Sequence, residues 1–275
     1  MQPTSAKRRS VDQGYGRTSR AYEVPTGEVY DSVTSILGVV AKPALITWSA
    51  NMERAYVTQA AADLYEDTSP TPKMSRQAFL TSLDLRLSKV KAHTRALEKA
   101  GNIGSQAHAL IEWSLRRQLG QIVGAQPEVV PEAAHSFACF ESWAEVSEFT
   151  PKLIEQVVWS RQHEYAGTLD ILGEARCMRS EAEGELVQFV GDWKTGKAIY
   201  PEAKMQSAAY IRALREMGHV TGDVWGLVVR LPKVAADPGF EAVWISPEEQ
   251  QEHFDAFLAA KRLWDWTQRQ RKSGE

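Results

Sequence analysis

The chain has 275 residues, 43% apolar and 24% charged, the balance of an ordinary soluble globular protein. A formal net charge of −3 excludes a global basic field for coating duplex DNA, while leaving room for a local basic channel. The two cysteines, Cys139 and Cys177, imply neither a disulfide framework nor a zinc site, exclude a four-cysteine iron–sulfur cluster built by this chain alone, and point to a reducing compartment.

No apolar run approaches the ~20 residues needed to span a bilayer, so no membrane helix is expected. Met1 to Arg20 is polar and basic, with Lys7-Arg8-Arg9, and lacks the apolar stretch of a secretory signal. A disordered tail over 1–20 and a cytoplasmic protein, bacterial or phage-encoded, are expected; an organellar targeting segment is the alternative. Ala21–Val24 and Glu28–Tyr30 read as a hairpin turning at Pro25-Thr-Gly27. Asp31 or Ser32 then caps a helix that Pro43 interrupts and Ala44–Tyr65 resumes. Asp67–Pro72 reads as a loop. Ser75–Ala100 reads as a helix or helix pair bearing Arg76, Arg86, Lys89, Lys91, Arg95 and Lys99, either a solvated face or the basic wall of a strand channel.

Gly101-Asn-Ile-Gly104 is expected to break this helical region, with Ser105 capping the next helix. His108 and Glu112 are four apart there and share a face with Leu115 and Leu119, the expected buried one. On spacing alone His108 is a core histidine more often than a ligand. Glu132–Ser147 is an amphipathic helix, and Leu153–Ser160 is the first strand of the core. Glu155 in that strand is open between an edge charge and an active-site carboxylate.

The densest chemistry follows. Ala166–Arg176 and Glu185–Lys194 are β-favouring runs around a polar segment. A hairpin centred near Glu181 pairs residues whose numbers sum to about 362, which sets Asp170 opposite Asp192 at roughly 5 Å between Cβ atoms. Two carboxylates that close call for a cation, and Lys194 falls on the face of Asp192 by strand parity. A bound metal with an ammonium beside it is the chemistry of phosphodiester hydrolysis. Glu202–Met217 is a helix that sets Gln206 and Tyr210 one turn apart, at a helix–sheet seam on the bland reading. Asp223–Leu231 and Glu241–Ile245 are further strands, and Pro247–Arg271 is a terminal helix with a basic end.

Gly167-x-x-Asp170, Asp192-x-Lys194 and Gln206-x-x-x-Tyr210, in this order, resemble the PD-(D/E)XK nuclease superfamily in its RecB-like branch. Gly104-x-x-x-His108 fits the same pattern, and the Ser32-Val-Thr34-x-Ile-Leu segment is similar to mitochondrial genome-maintenance exonucleases and related phage exonucleases. The resemblance implies His108, Asp170, Asp192 and the carbonyl of Trp193 as metal ligands, with Lys194 catalytic. It also implies Gln206 and Tyr210 as supporting and DNA-contacting residues, and Ser32 and Thr34 as phosphate contacts. Glu112 and Glu155 are expected around the ligands, Glu112 to orient the imidazole of His108. The expected fold is α/β, a mixed central sheet flanked by helices, over 104–275, with an N-terminal hairpin and helical lobe over 21–103. The expected activity is an exonuclease dependent on Mg²⁺ or Mn²⁺, without an iron–sulfur cluster, acting on single-stranded or flapped DNA ends. A nuclease processing duplex ends and an inactive nucleic-acid-binding module are the alternatives; replication or recombination proteins are the partners such roles would imply.

Overall fold

The computed structural model describes residues 6–12, 18–40, 42–68, 75–87, 90–237 and 239–273. The fold is α/β, a mixed sheet with helices around it. In chain order the elements are β1 (Lys7–Asp12), β2 (Thr18–Glu23), β3 (Val29–Ser32), α1 (Val33–Ile36), α2 (Pro43–Thr68), α3 (Arg76–Arg86), α4 (Ala92–Gln118) and α5 (Pro131–Val146). There follow β4 (Thr150–Ser160), β5 (Tyr165–Arg176), β6 (Leu186–Lys194), α6 (Pro201–Glu216), β7 (Trp225–Arg230), β8 (Glu241–Ile245) and α7 (Gln250–Ser273). Among the described residues no single helix is long and apolar enough to cross a membrane.

The strand order is β1-β2-β3-β5-β6-β7-β8, with β4 also paired to β5. The β5–β6 register runs from Ile171↔Gly191 to Arg176↔Leu186, so the pairing about Glu181 is the one expected. Apolar side chains leave the sheet on both faces. One face packs against α1, α6 and α7 through Val33, Ile36, Leu169, Leu172, Ile211, Leu214 and Phe257. The other packs against α5 and the apolar stripe of α4 in an aromatic core. There the Trp193 ring lies 5.1 Å from Phe140 and 5.2 Å from Trp143, anchoring the end of β6. Truncating so buried an indole costs about 3–5 kcal/mol.

The chain divides into two compact units, one made of residues up to Val40 with those from Ile103 onward, the other Ala41–Asn102. The hairpin β2–β3 therefore belongs with the core rather than with the helical lobe, because β3 continues the sheet in parallel with β5 at Asp31↔Tyr165 and Ser32↔Ala166. Part of the expected tail is likewise strand: Lys7–Asp12 pairs antiparallel with Thr18–Glu23, and Arg9 bonds Glu23 across the ladder. Residues 1–5 and 13–17 of that tail lie outside the described residues. So do 69–74 of the expected loop and Lys89 of the expected basic face. In the helical unit, Glu53 accepts from the backbone of His93 and meets its ring at 3.0 Å, and the Arg95 guanidinium lies 4.5 Å from the centre of the Tyr56 ring.

The expected break at Gly101–Gly104 is not there. Helix α4 runs through it, and Ser105 is an interior residue rather than a cap. Two interior glycines cost roughly 1 kcal/mol each relative to alanine, but Gly104 brings the helix close to the end of β6. A Cβ at Gly104 would stand 3.0 Å from Thr195 Oγ1. Leu115 is buried as expected; Leu119 falls past the helix end and is exposed.

Candidate metal centre

Strand β5 is paired along one edge by β4, and its other edge is shared. There β3 occupies Tyr165 and Ala166, while β6 occupies Ile171 to Arg176. Between them β6 peels away to follow β7 as far as Lys194. Asp170 sits at this fork. In place of a ladder partner, the Trp193 N–H donates to Asp170 Oδ2 at 2.8 Å, which ties the carboxylate to the departing strand.

Helix α4 brings His108 onto the same spot. Its Nε2 lies 2.9 Å from the Trp193 carbonyl. A carbonyl oxygen only accepts, so the proton at this contact is on Nε2, while Nδ1 lies 3.6 Å from Asp170 Oδ2. The Trp193 carbonyl, expected as a metal ligand, is also the acceptor that orients the imidazole. A backbone carbonyl fixing the far nitrogen is the usual support of a metal-binding histidine.

Glu155 completes the cluster. Ligand atoms of His108, Glu155 and Asp170 all lie within 4.8 Å of one another. Glu155 has φ +48°, in the left-handed region. Such a residue costs of order 1–3 kcal/mol in strain and here re-aims one side chain. The ladder pairs Ile154↔Ile171 and Gln156↔Leu169 flank it. Leu153 and Val158 both pack on the α6 and α7 side despite their odd spacing, because strand parity changes at Glu155.

Asp192 is buried beside this trio but outside it. Its Oδ1 accepts from Gln206 Nε2 at 2.8 Å, and Lys194 Nζ stands 2.6 Å from its Oδ2. This charge-assisted contact holds the buried Oδ2 against the ammonium. Gln206 Oε1 accepts from Lys194 Nζ at 3.3 Å, and the Gln206 amide reaches the Tyr210 hydroxyl at 3.5 Å. The Tyr210 ring packs against Gly167, where a Cβ would fall 2.5 Å from its Cε1. The glycine of the Gly-x-x-Asp motif is thus required by the tyrosine of the Gln-x-x-x-Tyr motif.

The electrostatics are those of acids short of a cation. Burial pushes the Glu155 carboxyl up to about 7, and the charge of Asp170 pushes it further than His108 draws it back. Asp170 is raised by burial, an effect His108 opposes and Asp192 reinforces. Burial disfavours the Lys194 ammonium, yet Asp192 and Asp170 outweigh it and hold the lysine above its ordinary value. Burial, then the two aspartates, keep the Tyr210 phenol well above the usual range and neutral. One imidazole nitrogen and hard carboxylate oxygens fit a divalent cation such as Mg²⁺ or Mn²⁺.

Glu112 lies near enough to raise the Glu155 carboxyl by its charge, but is not bonded to His108. It bonds Arg116 at 2.7 Å. Ser32 is buried and caps α1 by accepting from Ser35 N, so its hydroxyl is spent on the helix. Thr34 is exposed, with its hydroxyl 3.1 Å from that of Ser32. Tyr22, not singled out from sequence, bonds the Thr168 hydroxyl at 3.0 Å, two residues before Asp170. No motif marks it; only the hairpin that carries it was legible. Compared with known proteins, the sequence matches no family model and no curated protein.

Proposed function

We propose that the protein is a nuclease dependent on Mg²⁺ or Mn²⁺, related to the RecB-like branch of the PD-(D/E)XK superfamily, that hydrolyses DNA from the ends of single-stranded or flapped substrates. The observation that carries this reading is the convergence of a His–Glu–Asp cluster with the Asp192–Lys194 pair at one fork in the sheet. Neither half alone would do so, since acidic clusters and ion pairs are common.

His108 Nδ1, Glu155 and Asp170 would hold the ion, with Asp192 Oδ2 within the same constellation. When bound, a divalent ion supplies Lewis-acid stabilisation of phosphoryl charge and lowers the pKa of water. The chain's own residues do the rest. Trp193 N–H and the Trp193 carbonyl fix the orientation of Asp170 and His108. Lys194, kept protonated by its two aspartates, offers a preorganised positive charge to an attacking water or a developing phosphorane. Gln206 holds Asp192 and Lys194 together, and Tyr210 holds Gln206. The exonuclease mode and the choice of DNA ends follow from the motif resemblance. Incubation of the purified protein with end-labelled linear and circular DNA, with Mg²⁺ and with chelator, tests the reading. Circles cut as readily as linear strands would remove the exonuclease mode, and cutting in chelator would remove the metal.

A further inference from the structure

We propose that the outer face of α7, with the cavity beside it, is an accessory contact for single-stranded nucleic acid, built from none of the metal-centre residues. The cavity has a volume of about 300 Å³ and is lined by Gln162, His163 and Glu164 on one side and Leu258, Lys261, Arg262 and Asp265 of α7 on the other. Helical spacing continues this face outward. Arg262, Trp266 and Arg269 are separated by four and three residues, so they lie in one row.

Two features of that row fit a nucleic-acid strand. Trp266 is 53% exposed, a large aromatic surface open to solvent on α7. Bases stack on such platforms with little regard to sequence. Arg262 and Arg269 flank it, both exposed and neither with an ion-pair partner among the described residues. A guanidinium on each side of an aromatic ring suits alternating phosphates and bases. Lys261 adds no free charge, being paired with Asp265 at 2.7 Å, and Glu164 is the remaining acid at the rim.

His163 closes the inner wall of the cavity. Its Nε2 is buried without a hydrogen-bond partner, while the ring packs edge-on against Phe254 at 5.2 Å.

The ligand class rests on the nuclease reading, but the test does not require hydrolysis. Anisotropy of a fluorescein-labelled oligothymidylate of about 12 nucleotides, a length typical of single-strand sites, is measured in chelator over a salt series. Without a cation the carboxylates of the metal centre repel the strand, so the accessory face dominates binding. Trp266→Ala is expected to weaken binding about tenfold, with Trp266→Phe retaining most of it. Arg269→Ala should lower the salt slope by about 0.7. Hydrolysis of bis(p-nitrophenyl) phosphate, too small to reach α7, should be unchanged in these variants. Unchanged affinity in Trp266→Ala, or an equal loss in Trp266→Phe, would overturn the proposal. A wild-type protein that binds the oligonucleotide through Trp266 yet hydrolyses nothing would overturn the nuclease reading and leave this contact standing.

Discussion

Replacing Glu155 by glutamine should make the metal-free protein more stable at high pH. The substitution keeps side-chain length and the left-handed backbone, so the strain at φ +48° is common to both proteins. What changes is the cost of ionisation. A carboxyl moved from 4.5 to about 7 carries a penalty of roughly 3 kcal/mol once ionised. The folded state holds the proton more tightly than the unfolded chain, so wild-type stability falls as pH rises from 4.5 to about 7 and stays low above it. Glu155→Gln escapes this loss. Its melting temperature in chelator should exceed wild type by roughly 5–10 °C near pH 8.5. Near pH 5 the advantage should shrink to less than about 1 kcal/mol, because both forms are then largely uncharged. Thermal unfolding at the two pH values reads both numbers. A variant no more stable than wild type at the higher pH would refute the claim that Glu155 is a buried acid awaiting a cation.

Saturating Mn²⁺ should reverse the order, raising the wild-type melting temperature and leaving Glu155→Gln nearly unmoved; equal shifts would exclude Glu155 as a ligand. Mn²⁺ affinity measured by calorimetry should rise with pH toward about 7, as the Glu155 proton must leave for the ion to bind. His108→Ala should weaken that titration more than it lowers thermal stability, and the opposite pattern would return His108 to a purely structural role. Gly167→Ala places a Cβ 2.5 Å from the Tyr210 ring, so a loss of about 1–3 kcal/mol is expected, with cleavage falling further than stability as Gln206 loses its support. Wild-type melting and cleavage in this variant would mean that the ring yields freely.

The central hairpin was legible because its turn is polar and its two runs are β-favouring, so the register about Glu181 follows from composition alone. The expected direct pairing of Asp170 with Asp192 was not met: the ladder ends at Ile171↔Gly191, and the two carboxylates come near each other across the fork instead. Glu155 stayed undecided for another reason. Its part in the cluster depends on a left-handed φ that flips the parity of β4, and no pattern of side chains announces a backbone flip. The glycines at 101 and 104 misled in a related way. They read as a helix stop, but Gly104 serves close approach to Thr195 inside a helix that runs on. Ser32 was open between a cap and a phosphate contact, and its buried hydroxyl is a cap. At the N-terminus, basic composition suggested a tail, whereas Lys7–Asp12 pairs with a strand that sequence reading began three residues late.

Cleavage by Lys194→Ala beside wild type tests the proposed chemistry most directly. Single-turnover hydrolysis of end-labelled single-stranded and flapped DNA is measured in Mg²⁺, and strand affinity in Ca²⁺. The ammonium stands 2.6 Å from Asp192 and is poised to act on charge that develops during reaction. Its removal should slow cleavage about a hundredfold to a thousandfold, the effect of losing one preorganised electrostatic contributor. Strand affinity should change far less, since one lysine is one phosphate contact among several. Wild-type cleavage in the variant, or hydrolysis by either protein in excess chelator, would contradict a metal- and lysine-dependent nuclease.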